Sequence, residues 1–362
     1  MNNTFKPIHL QLFANNGTLV NGTAGYVNAG TGETQAFDGA NSLSGELKTF
    51  YDTELLENAR AEMFYAQFAK KQPLPAKHGN TVEWRKWNTF AKADKLQEGV
   101  IPTGQKFGMS SKTGTIEQYG TYAAITDTLE LHAYDDIILG ATGEMGASAA
   151  ETQETLIRDA LLVNTNVMYC DNIRLSDGAS VGTPESPDQM EANETTLSLL
   201  TPQMISKAVT KMKKDRVPTI GGKYYAVIHP SVAHDLRNSP EWIEAHKYAA
   251  PGDIFNGEIG ELHGCRFIEN VFAPILGGDY ANKDGTVTYA TYFFGKDSFG
   301  IVDPEGGALR MIVKSKEQAG GPLNQFSTVG YKFETNGATI LYPERVLRVM
   351  SCSCYSGTDE EN

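Results

Sequence analysis

The sequence predicts an α+β fold, on three observations. One unbroken amphipathic run extends from about Asp135 to Asp171. Short alternating stretches separated by glycines fill Thr286 to Val349. Between about 197 and 275, helical patterns alternate with strand patterns. In the long run, Ile138, Ala141, Met145, Ala149, Thr152, Leu156, Ala160, Val163, Val167 and Cys170 recur at steps of three and four. That spacing keeps one stripe on one face of a 3.6-residue helix. Glu144, Glu151, Glu154 and Arg158 lie off the stripe, with Glu154 and Arg158 spaced as an i,i+4 ion pair. No proline interrupts the run, and Asp135 or Asp136 can cap its start. The expected length is roughly 50 Å. Gly140, Gly143 and Gly146 weaken its first third by about 1 kcal/mol each relative to alanine, which predicts a kink or a close backbone approach.

With 362 residues the chain has room for roughly two or three structural units, and 40% hydrophobic content suffices for their cores. A net charge of −13 argues against a polybasic surface that grips DNA or a membrane. Cys170, Cys265, Cys352 and Cys354 form no disulfide framework, the pattern of a reduced protein. The start of the chain lacks a charged segment followed by an apolar one, and no apolar run is long enough to cross a bilayer.

Residues 1 to about 45 do not read as a folded domain: one alternating patch, Ile8 to Ala14, precedes a stretch rich in Gly, Asn, Thr and Ala. Leu47 to Lys71 reads as a second amphipathic helix, on Phe50, Leu55, Ala59, Met63, Ala66 and Phe68, ended by Pro73 and Pro75. Thr81–Trp87 alternates as a strand. From Phe90 to Ser111 the chain is polar and short of core residues, long for a connection inside a domain. With extended flanks at Thr81–Trp87 and Thr113–Tyr122, this reads as a long hairpin projecting from the body. Ala124–His132 leads into the long helix. Leu175–Thr196 reads as a loop, and Thr201-Pro202 opens a helix that reaches Arg216. Tyr224–Ile228, Ser231–Asn238, Trp242–Tyr248 and Glu261–Asn270 complete a mixed unit over 197–275.

Candidates for chemistry are few. His229 and His234 stand five apart rather than the four that suits a helical metal pair, and Pro230 reads as a helix start capped from a strand end. Cys352-Ser-Cys354 has no second Cys/His pair near it in sequence. No nucleophile elbow, phosphate loop or zinc-protease motif occurs. Trp84 and Trp87 read as core and interface packing rather than as a stacking platform for a sugar or base. Lys211, Lys213, Lys214 and Arg216 sit where a helix end favours cations. No catalytic residue, cofactor site or metal site is expected.

In order, then, the sequence holds an arm, a helix, a projecting two-stranded loop, a long helix, a mixed unit and closing strands. This order resembles the major capsid protein of tailed bacteriophages. More narrowly, it is similar to the capsid family typified by the head protein of the podophage N-four. The residues that carry the likeness are Leu10-Gln11-Leu12-Phe13-Ala14, Leu96-Gln97-Glu98-Gly99-Val100-Ile101-Pro102 and Gln118-Tyr119-Gly120. Ile125-Thr126-Asp127-Thr128-Leu129-Glu130-Leu131, His229-Pro230, Gly257-Glu258-Ile259-Gly260 and Gly330-Tyr331-Lys332 add to it. Gly178–Glu194 and the cysteine-bearing tail have no counterpart in it.

The resemblance implies an arm over 1–45, a helix and strand over 46–89, an extended loop over 90–113 and a peripheral domain with a spine helix over 114–196. An axial domain over 197–275, returning strands over 276–352 and a tail over 353–362 follow. It implies a major capsid protein that assembles as hexamers and pentamers into an icosahedral shell around double-stranded DNA, without sequence-specific binding and with no membrane partner. It also implies a virion protein assembled in the host cytoplasm, alongside portal, decoration and separate scaffolding proteins, with no large scaffolding segment cleaved from the arm. Subunit contacts are expected at Leu10, Leu12, Phe13, Glu98, Gly99, Val100, Pro102, Gly257, Glu258 and Gly260. The rival readings are another phage structural protein, of the decoration or tail kind, and a hydrolytic enzyme whose site is built from unlinked acidic residues.

Overall fold

The computed structural model describes residues 64–75, 77, 79–87, 90–93, 95, 104–132, 137–243, 260–305, 307–319, 323–357 and 359–362, with the backbone alone of 18–19, 25–27, 34–36 and 244–246. Thr18–Leu19 (β1), Gly25–Val27 (β2) and Thr34–Ala36 (β3) pair antiparallel in that order. No folded element is expected there from sequence.

The helix expected over Leu47–Lys71 lies outside the described residues up to 63. From Tyr65 to Gln67 the chain makes a 3-10 turn, and Lys70–Leu74 (β4) is already a strand. The helical reading of its last residues is therefore corrected, and Pro73 stands inside β4. It is tolerated because β4 lies at the edge of its sheet. Thr81–Trp87 (β5) and Met109–Thr115 (β6) form an antiparallel pair with Thr81 opposite Thr115 and Trp87 opposite Met109. Glu117–Thr126 (β7) and Asp127–His132 (α1) follow, and the Leu129 amide donates to Thr126 Oγ1 at 3.4 Å at the start of α1.

Ile137–Leu162 (α2) is a single helix of 26 residues, about 39 Å long. It stops short of the expected Asp171. Buried Asn164 donates from Nδ2 to the Val346 carbonyl at 2.6 Å and accepts from the Asn166 amide at 3.3 Å. Val167–Tyr169 (β8) then pairs in parallel with residues 348–350. Val163 is exposed. The buried face of α2 is also turned by one residue from the expected stripe. Thr142, Ala149, Ala150, Glu154, Ile157, Arg158 and Leu161 are buried, whereas Ala141, Met145, Leu156 and Ala160 are half-buried. Glu154 and Arg158 thus lie inside rather than on the surface, and each takes another partner. Arg158 Nε meets Asp159 at 2.9 Å. Gly140 borders open space, so no close approach explains it.

The expected loop over 175–196 contains structure of its own. Asn172–Arg174 (β9), Ser180–Gly182 (β10) and Thr196–Leu197 (β11) form a small sheet in the order β10-β9-β11. Pro202–Lys214 (α3) starts with Thr201 Oγ1 accepting from the Met204 amide at 3.3 Å. Tyr224–Ile228 (β12), Pro230–Arg237 (α4), Pro240–His246 (α5), Gly260–Leu262 (β13), Cys265–Glu269 (β14) and Ile275–Leu276 (β15) follow. The chain ends with Thr288–Phe294 (β16), Phe299–Pro304 (β17), Arg310–Lys314 (β18), Phe326–Thr335 (β19), Thr339–Ile340 (β20) and Val346–Ser351 (β21).

Contacts divide the chain into two units. One comprises 1–61, 118–149 and 309–333. Its sheet has the order β18-β19-β7. Two glycines allow β7 and β19 to approach: a Cβ on Gly120 would stand 2.5 Å from the Tyr331 carbonyl, and one on Gly330 would stand 2.7 Å from that of Thr121. Such distances are closed to any side chain. Tyr119 and Tyr331 both stack on Phe333, with centroids 5.9 and 6.2 Å away.

The second unit comprises 62–117, 150–308 and 334–362. A seven-stranded sheet, β13-β14-β12-β16-β21-β8 with β15 on β16, forms its centre. Tyr289, Phe293, Leu347 and Val349 share one core with Met204, Ile205, Ala208 and Met212 of α3. Tyr292, Phe294 and Val346 share the other with Ile157 and Leu161 of α2 and with Tyr65. Covered on both faces, β16 and β21 are buried at every position, Thr288, Thr291, Arg348 and Ser351 included, where the expected alternation would have left every second residue outside. Residues 197–275 accordingly do not close a sheet alone, since β16, β21 and β8 complete it. Each aromatic side chain buried here contributes about 1.5–3 kcal/mol. Glu154 joins three segments of this unit. Its carboxyl accepts from the Phe64 amide at 2.9 Å, the Tyr65 amide at 3.1 Å and Asn270 Nδ2 at 3.1 Å.

Candidate assembly interface

The β5–β6 hairpin has a buried root and an exposed outer part, and its sequence explains both. Along β5 every second residue turns inward, so Val82 and Trp84 are buried with Val302 and Leu341. The Trp84 indole fits between two glycines. A Cβ on Gly114 would stand 2.8 Å from its ring, and one on Gly300 would stand 2.9 Å from it. Lys86 Nζ meets Glu344 at 2.9 Å and lies 4.4 Å from the centre of the Tyr342 ring. The Ile116 amide donates to the Asn80 carbonyl at 2.8 Å. The root is thereby fixed on the second unit.

Beyond the root the apolar side chains face water. Trp87 is 58% exposed, Phe90 55% and Phe107 58%. They stack on one another, with Trp87–Phe107 centroids at 4.4 Å and Phe90–Phe107 at 5.3 Å. Exposed Met109 stands opposite Trp87 in the register. The backbone next to the stack is clamped: the Ala91 amide donates to Gln105 Oε1 at 2.8 Å, and Gln105 Nε2 donates to the Ala91 carbonyl at 3.3 Å. Large exposed aromatics held together in this way are the kind of group from which interface energy is drawn.

Of the residues expected at subunit contacts, Leu10, Leu12, Phe13, Glu98, Gly99, Val100, Pro102, Gly257 and Glu258 lie outside the described residues. Gly260 begins β13 with φ +106° and stands opposite Phe267, a backbone position that favours glycine. The stack of Phe90 and Phe107 on Trp87 is not visible in sequence, because it depends on the cross-strand register. Trp84 and Trp87 take different roles, one in the core and one on the surface.

The two histidines and the two tail cysteines separate and recombine. His229 follows β12 and caps α4, with the Ser231 amide donating to its Nδ1 at 3.2 Å. Burial holds this imidazole below its ordinary range, against the opposing pull of Asp359. Cys352 is buried, with Asn282 Nδ2 3.4 Å from its sulfur. Cys354 turns the other way, onto Asp235, with Sγ 2.7 Å from Oδ1. Desolvation of the sulfur and the hydrogen bond to that carboxylate push its thiol up to about 12. Lys213, Lys214 and Arg216 are exposed at the end of α3, the ordinary place for cations on a helix. Among the described residues no helix is long and apolar enough to cross a membrane.

A family model for phage capsid protein matches residues 110–336, from β6 to just past β19. This chain belongs to the phage capsid protein family. The capsid protein is similar in fold to the capsid of cyanophage Pam1, at 12% identity and a TM-score of 0.63, over 90% of this chain and 97% of that one. The capsid of Helicobacter pylori bacteriophage KHP30 has a TM-score of 0.57 at 12% identity, over 97% and 99%. That of cyanophage P-SCSP1u has 0.56 at 15%, over 92% and 97%. The sequence matches no curated protein. The expected tailed-phage major capsid protein fold and role hold. Two fragments of the sequence likeness, Gln118-Tyr119-Gly120 and Gly330-Tyr331-Lys332, prove to be neighbours in the sheet of the first unit, each glycine making room for the other strand.

Proposed function

We propose that this capsid protein assembles as hexamers and pentamers into an icosahedral shell around double-stranded DNA, and that the Trp87–Phe90–Phe107 stack is buried by a neighbouring copy. The observation that carries the proposal is the contrast along the hairpin. Trp84 is locked in the core, while three stacked aromatics a few residues further out stand in water. An isolated soluble chain has no use for such a patch, whereas a shell subunit covers it. The loop that continues past the stack, with Glu98, Gly99, Val100 and Pro102, extends the same contact. The segment holding Leu10, Leu12 and Phe13 reaches another copy, and Gly257, Glu258 and Gly260 meet copies around each capsomer centre.

The role is structural rather than catalytic, in keeping with the family. A net charge of −13 suits a wall that surrounds DNA without gripping it. Portal, decoration and separate scaffolding proteins are the partners such assembly uses, and the virion is formed in the host cytoplasm. Kinship with the N-four type belongs to the same proposal. The test is Trp87→Ala with Phe107→Ala in the full chain, read by electron microscopy and thermal melting. Removing an aromatic anchor costs about 2 kcal/mol or more per contact, and a shell repeats every contact. Shells are expected to vanish while the subunit melts as before. Normal shells from the double variant would remove this contact from the account.

A further inference from the structure

The fold unites one residue from each of two pairs that fail as metal motifs in the sequence. His234 and Asp235 lie in the last turn of α4, and Cys354 follows β21. Their ligand atoms all lie within 4.8 Å of one another. The three residues offer nitrogen, oxygen and sulfur, the donor set that selects zinc-class ions over magnesium or calcium. In a tetrahedral zinc shell neighbouring donor atoms stand about 3–4 Å apart, so rotations of two exposed side chains suffice to close the site.

Two further observations point to a cation. The Asp235 side chain is 2% exposed, yet its partners are the Cys354 amide at 3.0 Å, the Cys354 thiol and His234 Nδ1 at 3.4 Å. None of these is a permanent cation, and a carboxylate withdrawn from water calls for one. The frame around Cys354 is also fixed in advance. Ser353 Oγ donates to the Ser231 carbonyl at 3.1 Å, and Asp359 accepts from Tyr289 at 2.6 Å and from Ser231 Oγ at 3.2 Å. Asn362 accepts from the Ile275 amide at 3.0 Å. The side chain of His234 is 47% exposed, which leaves one side of the cluster open to a water ligand.

We propose that His234, Asp235 and Cys354 bind one zinc-class divalent ion, which clamps the tail 353–362 onto α4. Binding forms metal–Nδ1 or Nε2, metal–Oδ and metal–Sγ bonds, and the thiol proton passes to solvent as sulfur becomes a thiolate. The ion undergoes no redox change.

The test uses the full chain, with zinc uptake measured by equilibrium dialysis and cobalt as the spectroscopic probe. The expected result is one saturable ion per chain, a near-ultraviolet sulfur-to-cobalt band and a melting temperature raised by zinc. Cys354→Ser is expected to abolish the band. His234→Ala should weaken uptake roughly tenfold or more. Cys352→Ser, whose position faces Asn282, should leave both unchanged. No saturable uptake, or no thiolate band in the unaltered protein, would overturn the site without any variant. So would uptake that survives both Cys354→Ser and His234→Ala, or that disappears in Cys352→Ser. Both ligand substitutions fall at exposed positions, and their metal-free melting confirms that the chain is folded.

Discussion

Burial pushes the Glu154 carboxyl up to about 7, against the pull of the Tyr65 and Phe64 amides and of Asn270. Between about 4.5, the ordinary value, and 7 the folded state holds a proton that the unfolded state has lost. The contribution to stability is therefore full below about 4.5 and is lost as pH rises toward 7. Its size is on the order of 3 kcal/mol. Glu154→Gln keeps an acceptor for the two amides but cannot ionise. The melting temperature of the native chain relative to this variant should fall across pH 4.5–7. A constant difference over that range would show that Glu154 keeps an ordinary carboxyl.

At the scale of elements, the end of α2 is held by two asparagines, Asn164 and Asn166, which both donate to the Val346 carbonyl. Asn164 holds the Val346 carbonyl and turns the chain into β8. Asn164→Ala would strip the Val346 carbonyl of the shorter of its two side-chain donors, with Asn166 Nδ2 remaining at 3.0 Å, at a cost of about 1 kcal/mol, and urea unfolding should show the loss. Had the helix continued as its apolar spacing suggested, the same substitution would stabilise it, since alanine is the better helix former. This turn also shows where sequence reasoning stopped. Val163, Val167 and Cys170 keep the helical period, so only Asn164 and Asn166 signal a break, and neither is decisive alone. The face of α2 was misjudged for a related reason. Periodicity assigns charged residues to the surface, but Glu154 is buried by partners far away in the chain, Phe64, Tyr65 and Asn270, and Arg158 is buried one turn further on. The first strand of the hairpin was legible because alternation is a local property of β5, but its partner is Met109–Thr115 rather than the expected Thr113–Tyr122, most of which belongs to β7 in another sheet. The metal-ligand cluster was not, because His234 and Cys354 meet only when β21 returns beside α4.

For the whole molecule, order and spacing of elements carried more than any single motif. The arm, hairpin, long helix and closing strands pointed to the capsid fold, although three strands in residues 18–36 and the small sheet after β8 were not foreseen. Identity to similar capsids is only 12–15%, so what is shared is the arrangement of elements. The hairpin has a further, optical consequence. The chain contains three tryptophans, and Trp84 and Trp242 are buried while Trp87 is open to water. Red-shifted, quenchable emission is therefore expected from the free subunit at Trp87, within the patch that a neighbour is proposed to cover. Shell formation should shift that emission to the blue and protect it from acrylamide, and Trp87→Phe should abolish the change. An unaltered spectrum on assembly would place the contact elsewhere. The protein thus carries its own fluorescent reporter of closure, readable in real time and without a label.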